Sequence, residues 1–170
     1  MIEVRAESEI DVPAVDALVE AAFGRRQEAD LAAALRDEAT PALSLVGVLE
    51  DEVAGHVFVS PAAIEGSAVS PLVAGVGPLA VQPRLQRQGV GSALMHAALE
   101  SCSSLGWVAV FLLGNPAYYS RFGFELAAPR GIRYQSEAFD AHFQCRELVE
   151  GCLSDVTGTF VYHEAFDRFA

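Results

Sequence analysis

Apolar and polar positions divide this chain into short segments of strand and helix character. Residues 2–6 alternate and predict a first strand. Asp11 is the expected N-cap of a helix opened by Val12-Pro13 and running through Phe23, with Val15, Leu18, Val19 and Ala22 on its apolar face. Gly24-Arg25-Arg26 breaks that helix, and a second is expected from about Glu28 to Arg36, with Leu31 and Leu35 one turn apart. Residues 43–49 and 53–60 predict strands joined by the acidic turn Glu50-Asp51-Glu52. On the second of these, His56, Phe58 and Ser60 share one face, and Val57 and Val59 share the other. A connection of small residues, 61–71, leads to an apolar run, 73–81, that predicts a buried strand ending at Pro83. Residues 89–104 carry Val90, Leu94 and Ala97 at helical spacing.

Residues 107–113 have little polarity and predict a central buried strand. Asn115 and Pro116 are the expected N-cap and first residue of another helix. Pro129-Arg130-Gly131 reads as a turn. Residues 142–148 predict a strand with Phe143 and Cys145 on one face, and residues 157–163 predict a stronger one, rich in β-branched and aromatic residues. This order implies an α/β (α+β) fold, a mixed and mostly antiparallel sheet flanked by helices, in one domain over residues 1–170.

Composition narrows the classes. With 170 residues, 52% of them apolar and 20% charged, the chain can bury a core. Net charge is −12, and there is no lysine. That argues against nonspecific nucleic-acid binding, which needs a basic face, and weakly favours a cationic or amine-bearing partner by steering. Met1-Ile2-Glu3-Val4 has no basic region before an apolar stretch, and no run reaches membrane-spanning length, so a cytoplasmic protein without membrane contact is expected. Three cysteines, Cys102, Cys145 and Cys152, lack C-x-x-C spacing; neither a metal site nor a disulfide framework is expected. Cys102 reads as a small core residue.

The stretch Gly77 to Ser92 carries the candidate chemistry. A glycine-rich turn entering a helix presents unpaired N–H groups and the positive end of the helix dipole, which together hold phosphate. A P-loop needs Lys-Ser/Thr after its last glycine, whereas Gly91 is followed by Ser92-Ala93. A dinucleotide fingerprint is formally present at Gly75 to Ala80, but it lies inside the apolar run and opens no helix. Gln86-Arg87-Gln88-Gly89-Val90-Gly91 fits a third pattern, Q/R-x-x-G-x-G/A. It resembles the pyrophosphate-binding loop of the GCN5-related N-acetyltransferases (GNAT superfamily). Further on, Tyr119-Ser120-Arg121-Phe122-Gly123-Phe124 resembles that superfamily's tyrosine-bearing short helix and the strand after it. The Gly114-Asn115-Pro116-Ala117-Tyr118-Tyr119 segment and Tyr162-His163-Glu164-Ala165-Phe166 resemble a subgroup of small predicted N-acetyltransferases.

The resemblance implies an acyl-CoA N-acyltransferase fold and an acetyl-CoA-dependent N-acetyltransferase, in which an amine attacks the thioester directly. Acetyl-CoA would be the co-substrate, with no metal. Arg87, Gln88, Gly89, Val90, Gly91 and Ser92 would hold the pyrophosphate, with Asn115 also at the coenzyme. Leu79, Ala80 and Val81 would pair with the pantetheine arm as an added strand and offer an N–H to the thioester carbonyl. Tyr119 would be the catalytic acid that protonates the departing thiolate. Tyr118 would pack. The acceptor would be a small-molecule or peptide amine, and a homodimer stays open.

Other readings remain beside it. One is a catalytically silent acyl-CoA-binding sensor or partner protein; another is an unrelated domain for a different phosphate ligand. His56 and Glu28 are candidates for a base acting through water, against a buried structural histidine and a solvated loop. Arg25, Arg26 and Glu28 would lie near the acceptor or in solvent. His96 falls on a polar helical stripe with Ser92, Glu100 and Ser103 and is expected to be solvated.

Overall fold

The first strand, β1 (Ile2–Ala6), leads through a 3₁₀ turn at Glu9–Asp11 into α1 (Val12–Phe23). The computed structural model describes residues 1–169. Asp11 does not cap α1. The preceding turn puts its backbone in helical conformation, φ −76° and ψ −22°, where an N-cap needs an extended one. Its buried carboxylate instead accepts bonds from Arg5 at 2.6 and 3.0 Å and from the Ser8 N–H at 2.8 Å. Gly24, left-handed at φ 71°, ends α1 and donates to the Glu20 carbonyl.

The remaining elements are α2 (Gln27–Glu38), β2 (Leu43–Leu49), β3 (Glu52–Glu65), β4 (Val73–Val81), α3 (Val90–Ser104), β5 (Ala109–Leu113), α4 (Pro116–Tyr119), β6 (Glu125–Leu126), β7 (Ile132–Tyr134), β8 (Phe143–Glu147) and β9 (Gly158–Val161). The strands form a mixed, mostly antiparallel sheet flanked by helices. The expected strand at 107–113 is shorter because the Trp107 N–H closes the end of α3 on the Cys102 carbonyl. The short β6 and β7 had no legible period in the sequence.

The chain forms two compact units. The first comprises Met1–Ser60, Val76–Ser101 and the segment from Glu164. Its strands run in the order β1-β2-β3-β4, with β1 and β3 antiparallel to β2. Val15, Leu18 and Val19 of α1 pack on Val46 and Ala80, and Leu31 and Leu35 of α2 pack on Phe58 and Ala165. The other face of the sheet carries α3. There Val90 and Leu94 sit in notches left by Gly47 and Gly55; a Cβ on Gly55 would come 2.8 Å from Val90 Cγ1 and 3.1 Å from the Ala80 carbonyl oxygen.

The second unit comprises Pro61–Gly75 and Cys102–His163. Here β5 pairs in parallel with β4 over three residue pairs, Val73 to Gly75 with Ala109 to Phe111. On its other side β5 pairs antiparallel with β8, and β8 with β6. β9 joins the distal end of β3 antiparallel and β7 in parallel. Phe111, Phe143 and Phe160 form its aromatic core, with ring centroids 4.7 to 5.6 Å apart. No helix among the described residues is long and apolar enough to cross a membrane.

Candidate active site

Residues expected at the site fall in both units. In the first, Leu79, Ala80 and Val81 end β4, with Ala80 buried and its neighbours half-buried. The Gln82 N–H still donates to Ala54 at 2.7 Å, so the strand holds its register to its end. A 3₁₀ turn at Pro83–Leu85 follows. The loop then takes two left-handed residues, Arg87 at φ 65° and Gly89 at φ 90°. Arg87, Gln88 and Gly89 are exposed.

Helix α3 starts immediately after. Ala93 N–H to Gly89 O, at 3.0 Å, closes its first turn, so the N–H groups of Val90, Gly91 and Ser92 precede any intrahelical bond. Val90 is 1% exposed and anchors this end of the helix against Gly47 and Gly55. The loop thus leaves these backbone donors without intrahelical partners at the positive end of α3. Among the described residues, eight of the eleven arginines pair with carboxylates. Arg121 lies over the Tyr118 ring, and Arg146 donates to the Phe122 carbonyl. Arg87 pairs with none, which leaves its charge for an anion.

In the second unit, Asn115 caps α4 as its spacing predicts: its Oδ1 accepts from the Ala117 N–H at 2.9 Å. That bond occupies the side-chain oxygen locally. Tyr118 and Tyr119 follow, with edge-to-face rings 4.9 Å apart. Tyr119 is half-buried. A Cβ built on Gly114 would fall on the edge of its ring, 2.9 Å from Cδ2, so only glycine lets the ring lie where it does. Phe124 closes another side, edge-on at 6.0 Å. Gly123, left-handed at φ 83°, turns the chain from Phe122 into Phe124. Burial pushes the Tyr119 phenol up to about 12, and Tyr118 adds to it. Tyr118 is raised by burial too, opposed by Arg121.

The two candidate bases are engaged elsewhere. His56 is wholly buried, with Nε2 2.8 Å from Ser44 Oγ and 3.6 Å from Glu7. Burial pulls its pKa down to about 4, with Glu7 opposing and Arg36 adding to the shift. It is a neutral core imidazole. Glu28 is tied to Arg25 at 2.8 Å, and Arg26 to Asp16 and Asp30. The histidine on the α3 stripe, His96, is exposed.

Two residues near Tyr119 were given no site role from sequence, although Tyr162 stands in a motif that carries the resemblance. Gln144, wholly buried on β8, donates to the Gly114 carbonyl at 3.0 Å. Tyr162, also buried, receives the Leu113 N–H and lies near Tyr119. Alternation puts Gln144 on the face of β8 opposite Phe143 and Cys145, with Arg146, so no sequence signal pointed to its burial.

Known proteins resemble this chain in sequence and in fold. A family model described as an acetyltransferase (GNAT) domain matches residues 3–127. The Escherichia coli (strain K12) protein named uncharacterized N-acetyltransferase YhbS is 38% identical over 167 residues, covering 98% of this chain and 99% of its own. A second protein of that strain, uncharacterized N-acetyltransferase YjhQ, is 42% identical over 109 residues, 63% of this chain and 60% of its own. The crystal structure of E. coli YhbS in complex with CoA superposes with a TM-score of 0.90, covering 99% of this chain and 93% of that one. A GNAT family acetyltransferase from Brucella melitensis in complex with acetyl-CoA gives 0.79 at 31% identity, covering 98% and 99%.

Proposed function

This chain belongs to the acetyltransferase (GNAT) domain family, and from that premise we propose how its residues divide the reaction, with residues 1–170 acting as one N-acetyltransferase domain. It is an acetyl-CoA-dependent N-acetyltransferase. The segment Arg87 to Ser92 takes the pyrophosphate through the N–H groups of Val90, Gly91 and Ser92 at the start of α3, with Arg87 adding charge. Leu79 to Val81 pair with the amide-bearing pantetheine arm. The acceptor is a small-molecule or peptide amine.

The neutral amine nitrogen attacks the acetyl carbonyl carbon. The C–S bond breaks, the sulfur leaves as thiolate, and Tyr119 gives it the phenolic proton. The proton lost by the new amide nitrogen goes to solvent and returns to the tyrosinate. The single observation that carries this assignment is the Tyr119 phenol, half-buried against Gly114 and held protonated by its surroundings. A phenol in a poorly hydrated site can protonate a thiolate, whose own solvation is weak there. A silent acyl-CoA binder would have no use for this group.

Tyr119→Phe keeps the ring and removes the proton donor. We expect kcat to fall by about 10²–10⁴ while acetyl-CoA affinity stays nearly unchanged. Tyr118→Phe is the control and leaves kcat near wild type. Wild-type kcat in Tyr119→Phe, with chemistry rate-limiting, would remove Tyr119 from the reaction.

A further inference from the structure

The corner Leu113-Gly114 at the end of β5 is fixed from several sides. The Gly114 N–H donates to His142 O at 3.0 Å. The Gly114 carbonyl accepts from Gln144 Nε2 at 3.0 Å. The Leu113 N–H donates to the Tyr162 hydroxyl. The ring of Tyr119 rests directly on Gly114 Cα, with no side chain between.

Gln144 is costly where it is. It has no solvent exposure, and among the described residues its Oε1 has no hydrogen-bond partner. Its amide nitrogen faces two carbonyls, Gly114 O at 3.0 Å and His142 O at 3.4 Å. Exchanging its oxygen and nitrogen would set three acceptors against each other, so the hydrogen bonds themselves fix its orientation. Packing alone would be served by an apolar side chain, which brings no unpaired acceptor of its own. What Gln144 supplies, and an apolar residue would not, is a donor to the carbonyl of the residue that seats Tyr119. We propose that Gln144 is a positioning residue for this acetyltransferase: through Gly114 it holds the Tyr119 ring where its hydroxyl meets the departing sulfur. This rests on the reading of Tyr119 as the acid.

The test is a double-mutant cycle between Gln144→Met and Tyr119→Phe. Activity is read as thiol release from acetyl-CoA, with water and with a panel of primary amines as acceptors. Gln144→Met should lower kcat about 10- to 100-fold, as a displaced catalytic group does, and leave KM for acetyl-CoA within about twofold. In the Tyr119→Phe background it should have no further effect, because there is no proton donor left to misplace. Equal losses in both backgrounds, or no loss in the first, overturn the inference. If Tyr119→Phe alone keeps wild-type kcat, it is the Tyr119 assignment that fails, and the inference with it.

A second readout needs no turnover. In protein labelled with ring-¹³C tyrosine, the Tyr119 resonance is identified by its loss in Tyr119→Phe. It should shift in Gln144→Met while that of Tyr118 stays; an unmoved Tyr119 resonance overturns the inference. If Gln144→Met does not fold, Gln144→Glu replaces it. Its carboxyl donates to Gly114 O only when protonated, so kcat relative to wild type should fall as pH rises through its ionisation. A ratio that does not change with pH overturns the inference.

Discussion

The ring of Tyr162 lies against Gly75: a Cβ built there would come 2.5 Å from Cδ1 and 2.6 Å from Cε1 of the tyrosine. Gly75 is also the last residue of β4 paired with β5. Gly75→Ala should therefore destabilise the protein by about 1–3 kcal/mol through overpacking. Denaturant midpoints measure it. Shortening the ring in the same chain, with Tyr162→Ala, should make the combined loss smaller than the sum of the two single losses. Simple additivity would mean that the two residues do not share this space.

The coenzyme loop offers a cleaner substitution at Gly91 than at Gly89. Gly89 is left-handed, so any side chain there strains the backbone, whereas Gly91 is already within α3. Gly91→Val should leave the fold intact and crowd the approach of the pyrophosphate. We expect coenzyme A affinity to drop by about an order of magnitude or more, since several charge-assisted bonds are at stake. Calorimetry on the folded variant decides it; unchanged affinity removes this loop from the site.

His56 gives stability a pH dependence. An unfolded histidine titrates near 6.5, and burial lowers His56 to about 4. Between those values the unfolded chain takes up a proton that the folded protein refuses. The contribution is thus complete above about pH 6.5 and lost as pH falls toward 4. Its size is on the order of 3 kcal/mol. Glu7 and Arg36, which face the ring, remain in His56→Gln, so the difference in denaturation midpoints between the two proteins isolates the imidazole. Parallel pH profiles for the two proteins would contradict this.

The acidic surface bears on the acceptor. The chain carries −12, and eight of its arginines are already neutralised by carboxylates among the described residues. With a cationic amine as acceptor, kcat/KM should fall as salt rises, because fields beyond about 8 Å are screened at physiological ionic strength. A flat salt profile would remove steering and leave the reaction class untouched.

Local signals in this chain were readable because they are encoded within a turn or two. Gln86 to Gly91 runs from a strand end into a helix start, and both the left-handed Gly89 and N–H groups without intrahelical partners follow from that passage. Asn115-Pro116 opens α4 for the same reason: capping and a fixed proline φ involve only neighbouring residues. The apolar runs at β3, β4 and β5 marked the sheet by period alone. Tertiary structure decided what needs partners distant in sequence. Asp11 reads as a cap but is claimed by Arg5. His56 reads as either a base or a core histidine, and it is sealed beneath Ser44 and Glu7. Gln144 meets Gly114, and Tyr162 meets Gly75, only after β5, β8 and β9 have assembled. Hydrogen bonding and burial depend on which distant residues the folded chain brings within about 3–4 Å, and no sequence period encodes that choice.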